Sequence, residues 1–237
     1  MSSALAIAGV TVVLQRLLDG LQGELASALG GGVDVVSLPP EHVPQGQNDG
    51  PRLNLFLYRV AQNAALRNAS LPSLDARGRS RIAHPPLALD LHYLLTAYGS
   101  AELQTEILLG YAMQRLHENA VLDRGRIDEI LGAPGPAPDP FPALRTTGLA
   151  QQLQMVKVTP ASLNLDELSK LWTALKSNYR TSAAYQATVV LIETELPAIS
   201  PLPVLQRNFG VVPGLLPPVP EVVSVAPASG QVAARLD

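Results

Sequence analysis

Apolar residues recur at every odd position of Leu87-Ala88-Leu89-Asp90-Leu91-His92-Tyr93-Leu94-Leu95. Period two of this kind predicts a strand with one face on a core. Leu53-Asn54-Leu55-Phe56-Leu57-Tyr58-Arg59-Val60 is apolar on both faces at its centre, which predicts a strand covered on each side. Shorter strands are expected at Val33–Leu38, Gln154–Thr159 and Tyr185–Thr194.

Helical spacing appears elsewhere. Residues 4–29 read as one amphipathic helix, stopped by Gly30-Gly31-Gly32. Leu103, Ile107, Leu108, Tyr111, Ala112 and Leu116 form one stripe of a helix over 101–119, with Ser100 as its N-cap. A short helical piece runs from Ile127 to Leu131 and ends at Gly132. Asn164 and Glu167 make a capping-box start for a further helix, in which Leu168, Leu171, Trp172 and Leu175 line the buried face. Residues 61–84 read as a long loop. Pro134–Pro142, with a proline at every second position, reads as an exposed extended connection.

The pattern changes after Glu195. Residues 197–237 carry 8 of the 21 prolines, and no regular period survives there for long. The expected fold class is therefore α/β (α+β). It consists of a single domain, 1–196, with a mixed β-sheet flanked by helices, followed by a proline-rich extended arm, 197–237. Phe209, Leu215 and Leu216 belong to an apolar set too hydrophobic for a solvated linker, and they are candidates for docking on a partner.

Composition narrows the function. Hydrophobic residues make up 47% and charged residues 16%, so the chain can bury a large core and has apolar surface left for a partner. The net charge of −3 argues against a nucleic-acid binder that relies on overall positive charge. The absence of cysteine excludes disulfides, thiol nucleophiles and Cys-ligated zinc. The apolar stretch from Ala4 lacks a basic leader and is shorter than a membrane span, so a cytosolic start is expected, and the sequon Asn68-Ala69-Ser70 then carries no glycan.

Catalytic motifs fail on their spacing. His117-Glu118 opens like a zinc-protease HExxH, but Val121 stands where the second histidine is needed. Gly78-Arg79-Ser80-Arg81-Ile82 lacks the second glycine of a nucleophile elbow. Gly30–Gly32 precedes a strand instead of the helix N-terminus a phosphate loop requires. His42 and His84 lie in loops and point to nothing specific. Asp90 and His92 share one strand face, as in half of a catalytic dyad, but no nucleophile accompanies them. Their bland reading is a structural hydrogen-bonded pair or an interface contact. Arg77, Arg79 and Arg81, with Arg67 nearby, are the only basic concentration. Three readings of them stay open: a solvated loop, docking on an acidic protein surface, or nucleic acid. No catalytic, cofactor-binding or metal-binding residue is assigned, and no cofactor is expected.

Five ordered blocks then carry a resemblance. They are Leu53–Tyr58, Pro86–Gly99, Leu109–Gln114, Glu167–Trp172 and Tyr185–Glu193. Together they resemble the N-terminal domain of the cap, or tail-terminator, proteins of contractile injection systems of the antifeeding-prophage and Photorhabdus virulence-cassette type, over residues 3–200. The resemblance implies a non-enzymatic structural cap. Its ring, sixfold in expectation, would close the distal end of an inner tube and sheath. The implied partners are its own copies, the sheath protein and the tube protein, with no nucleic acid and no membrane span. Assembly would be cytoplasmic, within a phage-tail-like particle. Pro220–Gly230 resembles the opening strand and turn of the immunoglobulin-like module that follows in many relatives, and the expectation is that this module is truncated or lost here. The alternatives are another tail-end or neck ring protein and a small hydrolase using Asp90 and His92.

Overall fold

The longest strand, β3 (Leu87–Tyr98), sits at the centre of a six-stranded sheet, where its two faces meet different surroundings. The structure is a computed structural model that describes residues 3–44, 50–67, 86–133 and 142–193. In chain order the elements are α1 (Ala6–Asp19), α2 (Gln22–Leu29), β1 (Asp34–Val36), β2 (Arg52–Gln62), β3, α3 (Gln104–Glu118), β4 (Val121–Leu122), α4 (Arg124–Gly132), β5 (Val156–Ala161), α5 (Leu165–Ala174) and β6 (Ser182–Ile192). The strand order is β1-β2-β3-β6-β5-β4, with β1 parallel to β2 and every other pair antiparallel. The described residues thus form one α+β domain, a mixed sheet flanked by helices, as the hydrophobic pattern predicts.

Odd positions of β3 carry the core. Leu89, Leu91, Tyr93, Leu95 and Ala97 join Leu53 and Leu55 of β2, Tyr185, Ala187 and Val190 of β6, and Val156 and Val158 of β5. Onto this face pack Val10, Val13, Leu14, Leu17 and Leu18 of α1, Leu108, Ala112 and Leu116 of α3, and Ile127 and Ile130 of α4. Polar groups on this face are few and paired. The Tyr93 hydroxyl lies 2.9 Å from Thr11 Oγ1. Arg16 donates to the carbonyls of Ile130 (2.6 Å) and Ala133 (3.1 Å), satisfying the free end of α4.

The opposite face is mixed. Asn54, fully buried, makes a two-way clasp with the Leu38 backbone: its Oδ1 accepts from Leu38 N and its Nδ2 donates to Leu38 O, both at 2.9 Å. Beyond α5, the Arg180 guanidinium sits 4.8 Å from the centroid of the Tyr98 ring. Trp172, the buried anchor of α5, meets Tyr179 edge-on at 6.3 Å between centroids. The capping box is formed: Asn164 Oδ1 accepts from Glu167 N (2.8 Å), and Glu167 Oε2 accepts from Asn164 N (2.9 Å).

Several expectations need correction. The single helix over 4–29 is two helices, because the chain turns at Gly20 and Leu21. Ser100 does not cap α3. Its N–H and that of Ala101 instead donate to Gln104 Oε1, at 3.0 and 3.2 Å, and the helix opens from Leu103 in the left-handed region (φ 61°). Gly99 packs against the glutamine: a Cβ there would lie 2.6 Å from Gln104 Oε1, so the Gln104 side chain would have to shift. Leu103 is 63% exposed and Ile107 36%, so the buried stripe of α3 begins at Leu108 and includes Leu109. Gly30, at φ 73°, ends α2 as the glycine run predicts. The 61–84 loop begins later than expected, since β2 runs to Gln62, and β4 has no counterpart in the hydrophobic pattern. The extended connection and the arm fall outside the described residues, apart from Pro142.

Candidate functional site

Asp90 and His92 do project from the same face of β3, but they do not pair with each other. The Asp90 carboxylate accepts from Asn63 Nδ2 at 2.8 Å and from the Thr188 hydroxyl, and Asn63 Nδ2 also reaches Thr188 Oγ1 at 3.2 Å. A bulge supplies this geometry. Between Leu89 and Leu91 the β3–β6 register shifts, so Thr188 and Val189 both stand opposite Asp90. Asn63 Oδ1 in turn accepts from Leu66 N at 2.9 Å. Asp90 therefore links β3 to β6 and to Asn63, just past the end of β2, and holds the first turn of the β2–β3 connection. Its lone pairs serve structure.

His92 turns the other way, toward the Tyr58 ring at 6.0 Å between centroids. Burial lowers its pKa from the ordinary value and the Arg59 charge lowers it further, while Asp90 opposes both. Burial pushes the Tyr58 phenol up; Arg59 opposes, and the Glu167 carboxylate adds to the rise. His92 thus lies against a phenol, and among the described residues no serine or threonine hydroxyl is hydrogen-bonded to it. His117 and Glu118 are exposed at the end of α3, where Gln114 donates to Glu118 at 2.9 Å. Among the described residues, no three His, Cys, Asp or Glu side chains gather to hold a metal.

What the structure presents instead is contact surface. Exposed apolar side chains include Leu103, Ile107 and Met113 around α3, Leu165 at the start of α5, and Leu153 and Met155 ahead of β5. Between α3 and the β5–α5 turn lies a cleft of about 290 Å³, lined by Met113, Pro160–Leu163, Leu168 and Ser182–Tyr185, with no charged residue among them. Isolated exposed leucines are ordinary, whereas larger contiguous apolar patches favour a protein partner. Arg77, Arg79, Arg81, Phe209, Leu215 and Leu216 lie outside the described residues. Arg67 is exposed.

Sequence reasoning missed Asn63, Thr188 and Arg59. The signal for Asn63 was available, since an asparagine just past a long apolar strand is a common loop anchor. The role of Thr188 depends on a bulge, which no alternation pattern displays.

A family model for the Pvc16 N-terminal domain matches residues 9–206. The chain belongs to that family. Among solved structures, the chain is similar to the sheath/tube terminator of an extracellular contractile injection system, PVC, in its extended state. Identity is 16%, the TM-score is 0.50, and the match covers 84% of this chain and 62% of that one. It is also similar to the tube-terminating cap of the anti-feeding prophage, at 17% identity and a TM-score of 0.44, covering 81% of this chain and 59% of that one. The chain thus spans about three fifths of the length of these proteins. Curated proteins gave no match. No helix among the described residues is long and apolar enough to cross a membrane.

Proposed function

We propose that this Pvc16-family chain is a structural cap of a contractile injection system, a non-enzymatic ring that terminates the inner tube and sheath. The observation that carries the reading is the family match over residues 9–206. The site chemistry is compatible with it. Asp90 is engaged in holding strands, and the exposed apolar side chains around α3 and α5 offer area for protein contacts.

The finer features are parts of the same proposal. The ring is a homo-hexamer built on one repeated head-to-tail contact, which closes only when the rotation per subunit divides a full turn. Its partners are the sheath and tube proteins, and it works within a phage-tail-like particle assembled in the cytoplasm. Arg77, Arg79 and Arg81 dock on an acidic surface of sheath or tube, because a guanidinium pairs bidentately with carboxylates. Residues 197–237 act as an extended arm that reaches a neighbouring subunit or the sheath. Prolines restrict that segment before binding, which lowers the cost of ordering it.

The test is tail length. Particles produced without this chain should have long, irregular tails, and supplying the chain should restore a narrow distribution. Reversing all three arginine charges should reproduce the irregular tails while the domain stays folded. Normal length without the chain would refute the cap reading; normal length in the triple variant would refute only the arginine docking. Deletion from Pro201 onward should leave a folded, soluble chain that no longer caps.

A further inference from the structure

The two edges of the sheet are unequal. At one edge, β4 covers only Val156 and Lys157 of β5. Beyond it, Val158 N donates outward to Ala120 O at 2.7 Å, so by strand alternation the next outward position on β5 is Pro160. Proline has no N–H to give, and this edge is closed to a further strand. At the other edge, β1 covers only Arg52–Asn54 of β2, and Ser37 Oγ donates to Leu55 O at 2.8 Å just past it. From Phe56 to Gln62, β2 has β3 on its inner side and no strand on its outer side among the described residues. Asn63 N donates inward to Ala88 O at 3.0 Å, so Val60 and Gln62 aim their backbone groups outward. Both side chains are exposed, Val60 by 46%. Among the described residues no proline and no covering element lies on this stretch, which carries a bulge between Leu57 and Arg59 and the exposed charge of Arg59.

We propose that the outer edge of β2 from Phe56 to Gln62 is completed by an extended strand donated by another polypeptide of the assembled particle, one carrying an acidic side chain opposite Arg59. The inference rests on the cap reading. A second copy of this domain is a poor occupant for two reasons. Its β5 edge is blocked at Pro160, and pairing β2 with β2 would give a two-fold contact that cannot propagate around a ring. The charge of the occupant follows from Arg59, which is exposed, makes no ion pair among the described residues, and already acts on both Tyr58 and His92. A carboxylate on the incoming strand would meet it across the new ladder. Main-chain pairing gives such an edge its affinity, and the alternate side chains give it register.

Amide hydrogen exchange followed by mass spectrometry tests this on the full chain, free and on purified particles. The peptide spanning 56–62 should exchange freely at its outward amides in the free chain. On particles those amides should slow about tenfold or more, the factor worth one net hydrogen bond. Slow exchange already in the free chain would overturn the proposal, because the edge would then be filled by the chain itself or a second copy. Unchanged exchange on particles that carry the chain would overturn it too, and would leave the cap reading intact. Particles that lack the chain would refute both. As a second arm, Val60→Pro removes one outward N–H without touching the β3 ladder. It should keep the thermal unfolding profile of the native chain and lose attachment to particles; native attachment of a folded variant would contradict the proposal.

Discussion

The helix-bearing face of the sheet and the opposite face use the same strands for different ends. On the first, Leu91, Tyr93 and Leu95 are fully buried among leucines and valines from α1, α3 and α4, and area burial dominates. On the second, the same strands present Asp90, His92 and Thr96, with Asn54 and Tyr58 from β2. There polar clasps and bulges decide where loops leave the sheet and how α5 sits. The larger apolar cluster lies on the first face, while the second, buried as well at Leu94, Tyr98 and Trp172, carries the polar clasps. A domain that must touch several neighbours gains from this separation, because contact residues can vary without disturbing the core.

Substitutions can break or sharpen that contrast. The largest effect belongs to the helix-bearing face: Leu95→Ala should lower unfolding free energy by about 2–5 kcal/mol, measured by denaturant titration. A loss under about 1 kcal/mol would show that this face collapses around the gap and is not closely packed. Asn54→Ala on the other face should cost about 1–3 kcal/mol, since it strands the Leu38 N–H and C=O. Its damage should appear mainly as faster amide exchange around Leu38, with the core amides of β3 protected as before. Uniform loss of protection would erase the distinction between the faces.

The cap of α5 gives a smaller effect. Asn164→Ala should cost about 1 kcal/mol and free the start of that helix. Near-ultraviolet circular dichroism of Trp172 should weaken, with far-ultraviolet signal nearly unchanged. The smallest effect is pH-linked. His92 has a lowered pKa when folded, so the unfolded chain binds its proton first as pH falls. That contribution is intact above the ordinary histidine value of about 6.5 and is lost as pH drops from there toward the folded value. His92→Gln should flatten this part of the stability profile; an unchanged slope would place the pH dependence elsewhere.

What the sequence displayed follows the same division. The inner face of β3 was legible because its period is unbroken over Leu87–Leu95, and the Asn164–Glu167 capping box because its chemistry is local. Bends that need tertiary contacts were not legible. The turn at Gly20–Leu21 interrupts an apolar pattern that continues smoothly across it, and Leu103 belongs to the α3 stripe by spacing yet adopts a left-handed backbone that leaves it exposed. Two-residue β4 is too short to show a period. On the opposite face, Asp90 and His92 looked like a pair because alternation puts them together. Only the bulge at Thr188 and the position of Asn63 show where the carboxylate goes.

The central claim is that this chain terminates a tail, and imaging whole particles tests it most directly. Particles carrying a gold-labelled tag on this chain should show one cluster of label per particle, at the end opposite the baseplate, with averaged density there forming a closed ring. Label spread along the sheath, or located at the baseplate, would contradict the account.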